Sequence, residues 1–359
     1  MRIALVHEYL NQFGGAERTL TVLAEMFPTA PIYTLLYDEK ATHGLFKGRA
    51  VTTSFLQKFP GAVHHHEWYP LLMPLAIEQF DFSAFDIVIS VSASFAKGII
   101  TKPGTRHICY CLTPPRFLWG NSQQFGKDFG FPPLIRFASQ PFISYLRMWD
   151  HLAADRVDEF WRISDFIGER VQKYYHQPSM LIYPPIDTTK FPVANVPTQG
   201  YFLMVGRLVS YKKFDVAIKA FNALGLPLKV IGTGPEINRL KRLARGNIEF
   251  LGQVSDNELA RCYRESKALI FPQEEDFGIV PLEAMASGRP VIAYRGGGAR
   301  ETIIENETGI FFDIQTPEAI IEAVQRFSGK RFDYERCRSR AEEFSVARFK
   351  EQITKALHL

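Results

Sequence analysis

Five times between residues 201 and 305 a short apolar run is followed by a longer run with helical apolar spacing. YFLMVG precedes KFDVAIKAFNAL, LKVIG precedes PEINRLKRLA, and IEFLG precedes DNELARCYRES. ALIFP precedes VPLEAMASG, and PVIAY precedes GARETIIE. Apolar runs of four to six residues without alternation fit strands buried on both faces. Their regular interruption by helices predicts a parallel sheet covered on both sides. The first half opens the same way: RIALV, a turn at Gly14-Gly15, then the helix-like AERTLTVLAEMF. Later runs FDIVISVS and HICYC read as further buried strands, and SDFIGERVQKYY as a helix capped by Ser164 or Asp165. A further helix is expected around residues 134–154.

Between the halves, PPIDTTKFPVANVPTQG carries four prolines and few apolar side chains. That composition marks a linker. The domain reading is therefore 1–183, a linker at 184–199, a second domain at 200–340 and a terminal helix at 341–359. A chain of 359 residues fits two domains of ordinary size. Charged residues at 22% and hydrophobic residues at 46% are globular values, which argues against a disordered or fibrous class. The net charge of +4 is too small for a nucleic-acid-binding surface. Cys109, Cys111, Cys262 and Cys337 form no CxxC and no metal-ligand spacing. They read as buried reduced thiols, which fits a cytoplasmic compartment. No apolar stretch is long enough to span a bilayer, and the N-terminus has no signal-peptide pattern.

The chemistry concentrates in FPQEEDFGIVPLEAMASGRPVIAY, residues 271–294. A strand ends at Pro272, acidic residues follow, and an exposed turn is expected at Phe277-Gly278. A helix starts near Val280 with Pro281 in its first turn, and Gly288 closes it. This order sets a helix N-terminus just beyond the carboxyl end of a strand, where α/β sheets bind phosphate. Glu275 and Glu283 flank the turn with seven residues between them, so they can serve two ends of one ligand. Arg207 and Lys212 follow the strand YFLMVG. A cation at a helix start is unfavourable by itself, and a bound anion offsets it. The pair can neutralise a departing diphosphate. Gly232 and Gly234 form a strand-to-helix glycine turn, a weaker signal. Adjacent side chains of His64, His65 and His66 diverge, so no metal site is expected. The following EWYPLLMPLAI reads two ways, as a membrane-facing surface or as interior packing.

These motifs resemble the large family 4 of retaining glycosyltransferases, closest to the mannosyltransferase-like branch of bacterial surface-polysaccharide enzymes. HEYLNQFGGAER, YPPID, GRLVSYKKFD, LGQVSDNEL and EEDFGIVPLEAMASGRPVIAYRGGGARETI carry the resemblance. It implies the GT-B fold: two Rossmann-like domains facing each other across a cleft, acceptor on the first and donor on the second. The terminal helix would cross back to the first domain. It implies a hexosyltransferase moving mannose from GDP-mannose, or a similar sugar, to a glycan or lipid-linked acceptor, at the inner face of a membrane. No cofactor or metal is expected. By position, Gly15 would approach the donor phosphate, and Arg207 and Lys212 would hold the diphosphate. Glu275 would orient the sugar, and the backbone of Phe277, Gly278, Ile279 and Val280 would contact sugar and phosphate. Glu283 would bind ribose, and Val254 with the Gly232–Gly234 turn would lie by the base.

The sequence departs from the family in CYCLTPPRFLWG. Relatives usually carry a histidine where this chain has Leu112. Arg116 is the cleft candidate in the same segment, ahead of His107. The departure leaves two other readings open: an epimerase of nucleotide sugars, or a non-catalytic nucleotide-sugar binder.

Overall fold

The computed structural model describes residues 1–120, 139–193 and 198–359. Two compact units divide the chain. One holds Met1–Pro184 with Gln352–Leu359, and the other holds Pro185–Glu351.

The first unit is built on seven strands: β1 (Ile3–Leu10), β2 (Ile32–Tyr37), β3 (Val51–Thr53), β4 (Ile87–Ser92), β5 (Arg106–Cys111), β6 (Glu159–Arg162) and β7 (Ser179–Leu181). Their spatial order is β3-β2-β1-β4-β5-β6-β7, and every pair is parallel. The order reverses between β1 and β4, and that reversal is the topological switch point where open α/β sheets bind ligands. IVISVS is buried along its whole length, as a central parallel strand must be. Helices Met73–Glu78 and Gln140–Ala154 share one core with this sheet through Met73, Ala76, Ile77, Leu146, Trp149 and Ala153. The first residues of the helix expected at 134–154 lie outside the described ones.

The second unit has six parallel strands: β8 (Phe202–Val205), β9 (Leu228–Ile231), β10 (Ile248–Gly252), β11 (Leu269–Phe271), β12 (Val291–Tyr294) and β13 (Gly309–Phe312). Their order is β10-β9-β8-β11-β12-β13, reversing between β8 and β11. The five strands read from the alternation are all present, and GIFF adds the sixth. Its core gathers Phe202, Phe221, Ile270, Ile292 and Ile310 from strands and the helix Phe214–Leu224. Burying each such side chain contributes about 1.5–3 kcal/mol.

The proline-rich stretch is more than a tether. Ile186 and Phe191 are buried, and a 3₁₀ turn spans Thr188–Lys190. Residues 194–197 of the expected linker lie outside the described ones. Ser164 caps the helix Asp165–Tyr175 by accepting from Ile167 N. All four cysteines are buried and none forms a disulfide. No helix among the described residues is long and apolar enough to cross a membrane. The stretch EWYPLLMPLAI divides between its two readings: Met73, Ala76 and Ile77 are core, while Trp68, Leu71 and Leu75 are exposed.

Candidate functional site

The carboxyl ends of β8 and β11 meet at the switch point of the second unit, and the expected residues follow them directly. Gly206 and Arg207 continue β8. A 3₁₀ turn, Ser210–Lys212, and a left-handed Lys213 then lead into the helix Phe214–Leu224. Lys212 therefore lies before the helix and not inside its first turn. Its Nζ reaches Glu275 Oε1 at 3.1 Å, both side chains being largely but not fully buried. Arg207 is exposed. The residues expected to clamp a diphosphate and to bind a sugar lie far apart in the chain, and folding brings Lys212 and Glu275 into contact.

Beyond Glu275 the chain turns through Gly278 at φ +89°, the N-cap of the helix Ile279–Ala286. A side chain is strained in that left-handed conformation, so glycine is the residue that sharpens the turn. The N–H groups of Gly278, Ile279 and Val280 belong to the first turn, which has no intrahelical acceptors. None of them donates to the described backbone. With the positive end of the helix dipole, they suit a bound anion. Gly288 at φ +75° follows the helix, as the sequence placed it.

The structure corrects one expectation at this turn. Phe277 is not exposed: it is buried against Phe344, ring centroids 5.7 Å apart. Its side chain anchors the turn. Glu283 is also interior, 4% exposed, and one of its oxygens, Oε2, accepts from Tyr263 Oη at 2.8 Å. A ribose contact by Glu283 would use the same carboxylate that braces the helix against Tyr263.

The loops around the site are zipped together. Gly206 N donates to Ile231 O, Leu208 N to Thr233 O, and Gly298 N to Glu275 O. A Cβ at Gly232 would stand 2.0 Å from Gly206 O, and one at Gly234 would stand 2.4 Å from Leu208 O. These two glycines are thus required by the close approach of the β8 loop. Val254 is half-buried just past β10.

The first unit's switch point is built differently, and sequence reasoning missed most of it. Gly14 caps the helix Gly15–Met26, and Glu17 Oε2 accepts from Gly14 N at 2.7 Å. Glu17 Oε1 lies 3.5 Å from His7 Nε2, and His7 Nδ1 lies 2.9 Å from Val91 O. Next in sequence, Glu8 Oε1 accepts from Ser92 Oγ and from the N–H groups of Ala93, Ser94 and Ala96, at 2.8–3.0 Å. One carboxylate therefore ties down the loop after β1 and another ties down the loop after β4. Burial draws the His7 pKa down, but the Glu17 hydrogen bond and the charges of Glu8 and Glu17 outweigh it and leave it raised. Burial pushes Glu17 up, and the hydrogen bond and charge of His7 outweigh that and leave it lowered. The available signal was the pair His7-Glu8 inside the otherwise apolar run IALVHEYL.

Leu112 is half-buried at the end of β5, its N–H donating to Ser92 O. Arg116 opens the short helix Arg116–Trp119. His107 lies at the opposite, amino end of β5, fully buried with Nε2 2.9 Å from Ser90 Oγ. Burial lowers its pKa to about 3. It is a neutral core residue at the far end of the strand from Leu112. No cluster of three metal-ligating side chains occurs among the described residues.

Two solved structures align over the full length of the chain. One is the Anabaena protein HepE in complex with UDP, at 16% identity, covering 100% of that chain, with a TM-score of 0.70. The other is a sucrose-phosphate synthase from Thermosynechococcus elongatus, at 16% identity, covering 98% of that chain, with a TM-score of 0.74. At such identity the likeness shows the fold, GT-B with two Rossmann-like domains. Among curated proteins, an uncharacterized glycosyltransferase of Methanocaldococcus jannaschii is 28% identical over 207 residues, 52% of this chain and 58% of the relative. A GDP-mannose-dependent alpha-(1-6)-phosphatidylinositol monomannoside mannosyltransferase of Mycobacterium tuberculosis is 28% identical over 201 residues, 47% of this chain and 52% of the relative. The matches thus span little more than half the length of these relatives. Residues 185–344, which carry the whole Arg207–Lys212–Glu275 site, match the family described as Glycosyl transferases group 1.

Proposed function

We propose that this protein is a glycosyltransferase that moves a hexose from a nucleotide-diphosphate sugar to a glycan or lipid-linked acceptor. The observation that carries the reading is the Lys212–Glu275 contact at the β8/β11 switch point, beside the first-turn N–H groups of Gly278, Ile279 and Val280. A nucleotide-diphosphate sugar has an anion and a polyol side by side, and this site offers a cation and a carboxylate side by side. The family match over residues 185–344 supports the same reading.

The reaction breaks the bond between the anomeric carbon and the diphosphate oxygen, and forms one to the acceptor oxygen. We assign it a retaining outcome. Charge builds on the departing diphosphate, and Arg207, Lys212 and the helix N-terminus stabilise it there. In this reading those groups suffice without a metal ion. Glu275 accepts from sugar hydroxyls and orients the ring. Val254 and the Gly232–Gly234 turn flank the base. GDP-mannose is the donor we favour, since mannosyl transfer from GDP-mannose is what the Mycobacterium tuberculosis relative is named for. We place the reaction in the cytoplasm at the inner face of a membrane.

A thermal-shift panel of nucleoside diphosphates and their sugars tests the donor. Selective stabilisation by GDP-mannose supports the choice, and a larger response to another nucleotide sugar replaces it. Stabilisation by none of them removes the proposal. Leu112 favours one second reading, a binder that does not transfer. Donor binding with no radiolabelled sugar reaching any acceptor extract would establish that reading.

A further inference from the structure

The helix Ile279–Ala286 reads IVPLEAMA, and Pro281, Leu282, Ala284, Met285 and Ala286 are all buried along it. Glu283 is its one charged residue, and it is interior as well. Packing gives no reason for a carboxylate there, since an aliphatic side chain of similar size would fill the space at a lower desolvation cost. A carboxylate in such a place needs donors, and its side-chain torsions must be fixed before it can orient a ligand.

Tyr263 supplies that restraint. It lies in the helix Asp256–Glu265, and its Oη donates to Glu283 Oε2 at 2.8 Å. The bond is made to the carboxylate and not to the helix backbone, so what it fixes is the direction of the carboxylate. The tyrosine is itself held on every side. It is fully buried, and the Phe191 ring meets its ring edge-on with centroids 5.7 Å apart. Its carbonyl accepts from Ser266 N at 3.1 Å and from Ser266 Oγ at 2.9 Å. The helix that carries it is fastened at both ends. Ser255 caps it by accepting from Glu258 N, and Lys190 pairs with Asp256 at 3.5 Å. At the other end Gln199 N donates to Glu265 O at 2.8 Å. One guanidinium closes the ring of contacts. Arg338 Nη1 donates to Thr188 O and Phe191 O, and to Ala286 O at the end of Glu283's own helix, at 2.8–2.9 Å. The path thus runs from Glu283 through Tyr263, Phe191 and Arg338 back to the helix of Glu283, all within the second unit.

We infer that Tyr263 is a positioning residue: it holds the Glu283 carboxylate in the orientation that takes ribose hydroxyls, and so makes the site select ribonucleotides over deoxyribonucleotides. The inference rests on the nucleotide-sugar reading of this site, with Glu283 as its ribose ligand. A carboxylate already fixed loses little freedom when the ribose arrives, whereas a swinging one gives up part of the gain. Hydroxyls donating to a carboxylate make charge-assisted bonds, so a nucleotide that lacks them binds markedly less well.

The test is titration calorimetry of the full chain with GDP and UDP, and with the 2′,3′-dideoxy form of each. Wild type is expected to bind the ribose form of the nucleotide it prefers roughly 10–100-fold more tightly than the dideoxy form. Tyr263→Phe should weaken the ribose form about tenfold and leave the dideoxy form within about twofold, so that the preference shrinks. Glu283→Gln should also lose most of the preference, and adding Tyr263→Phe to it should change neither affinity by more than about twofold. Tyr263→Phe keeps the ring against Phe191, and the unfolding midpoint of each variant is read alongside. Should it not fold, the comparison within the Glu283→Gln background carries the test, because an uncharged amide tolerates the missing hydroxyl better. Equal weakening of both nucleotide forms by Tyr263→Phe, in either background, would show a role in packing alone and overturn the inference. Equal binding of both forms by wild type overturns it too, and leaves the transfer reading standing. Binding of no nucleotide by wild type removes both.

Discussion

The two sheets end in opposite ways at their switch points. In the first unit the crevice between β1 and β4 is closed by the protein's own charges: Glu8 satisfies four donors by itself, and Glu17 and His7 satisfy each other. In the second unit, the crevice between β8 and β11 keeps a partly exposed Lys212–Glu275 pair, an exposed Arg207 and a helix start without described acceptors. The same reversal of strand order is thus braced by internal hydrogen bonds in one unit and left partly exposed in the other. Stability is concentrated at the first, and the proposed function puts the ligand chemistry at the second.

The largest effect should come from breaking the brace. Glu8→Ala leaves the loop donors of residues 92–96 without their acceptor, and should cost roughly 3–5 kcal/mol of stability in urea unfolding. A loss below about 1 kcal/mol would erase the contrast between the units. Next, Lys212→Ala should lower the transfer rate about 10²–10³-fold, while stability shifts by no more than about 1 kcal/mol. Steady-state kinetics and the same unfolding assay read both. A large stability loss with unchanged kcat would make the second crevice another brace.

The third effect is acid sensitivity. His107 is depressed in the folded state to about 3. Its stabilising contribution is complete above its unfolded value near 6.5 and is lost as pH falls below it. Between pH 6.5 and pH 5 the loss should be about 2 kcal/mol. His107→Gln should flatten that part of the profile, and an equally steep profile would show that His107 is not responsible. The His7–Glu17 pair behaves otherwise. His7, raised, stabilises below its unfolded value and loses that contribution as pH rises through its folded value. Glu17, lowered, stabilises above its unfolded value and loses it as pH falls. The brace therefore holds best between the two folded values. Smallest of all, Leu112→His should leave donor binding unchanged and raise transfer only about fivefold, the value of one added hydrogen bond of about 1 kcal/mol. A far larger gain would move essential chemistry into the first unit.

The second unit was legible because its information is local. Its strands are uninterrupted apolar runs, and turn, cap and helix lie consecutively in EEDFGIVPLEAMASG, so reading along the chain recovers their order. The first unit was less so. EFWR and the short β3 carry weak patterns. The polar pair His7-Glu8 looks like a flaw in a strand until Ser92, Ala93, Ser94 and Ala96 are brought to it across more than eighty residues. Phe277 misled for a related reason: its neighbours are turn residues, but Phe344 covers it.

By itself, then, the sequence determined the parallel α/β class, the glycine turns, the caps and the set of charged residues beside the second sheet. Those follow from hydrophobic period and backbone conformational preference, which act over a few residues. Only the tertiary structure decided which charges meet. Lys212 finds Glu275, Glu283 turns inward to Tyr263, and Glu8 and Glu17 brace one crevice while its counterpart stays open. Those outcomes depend on strand order and on the desolvation each carboxylate undergoes, and both are set by residues distant in the chain.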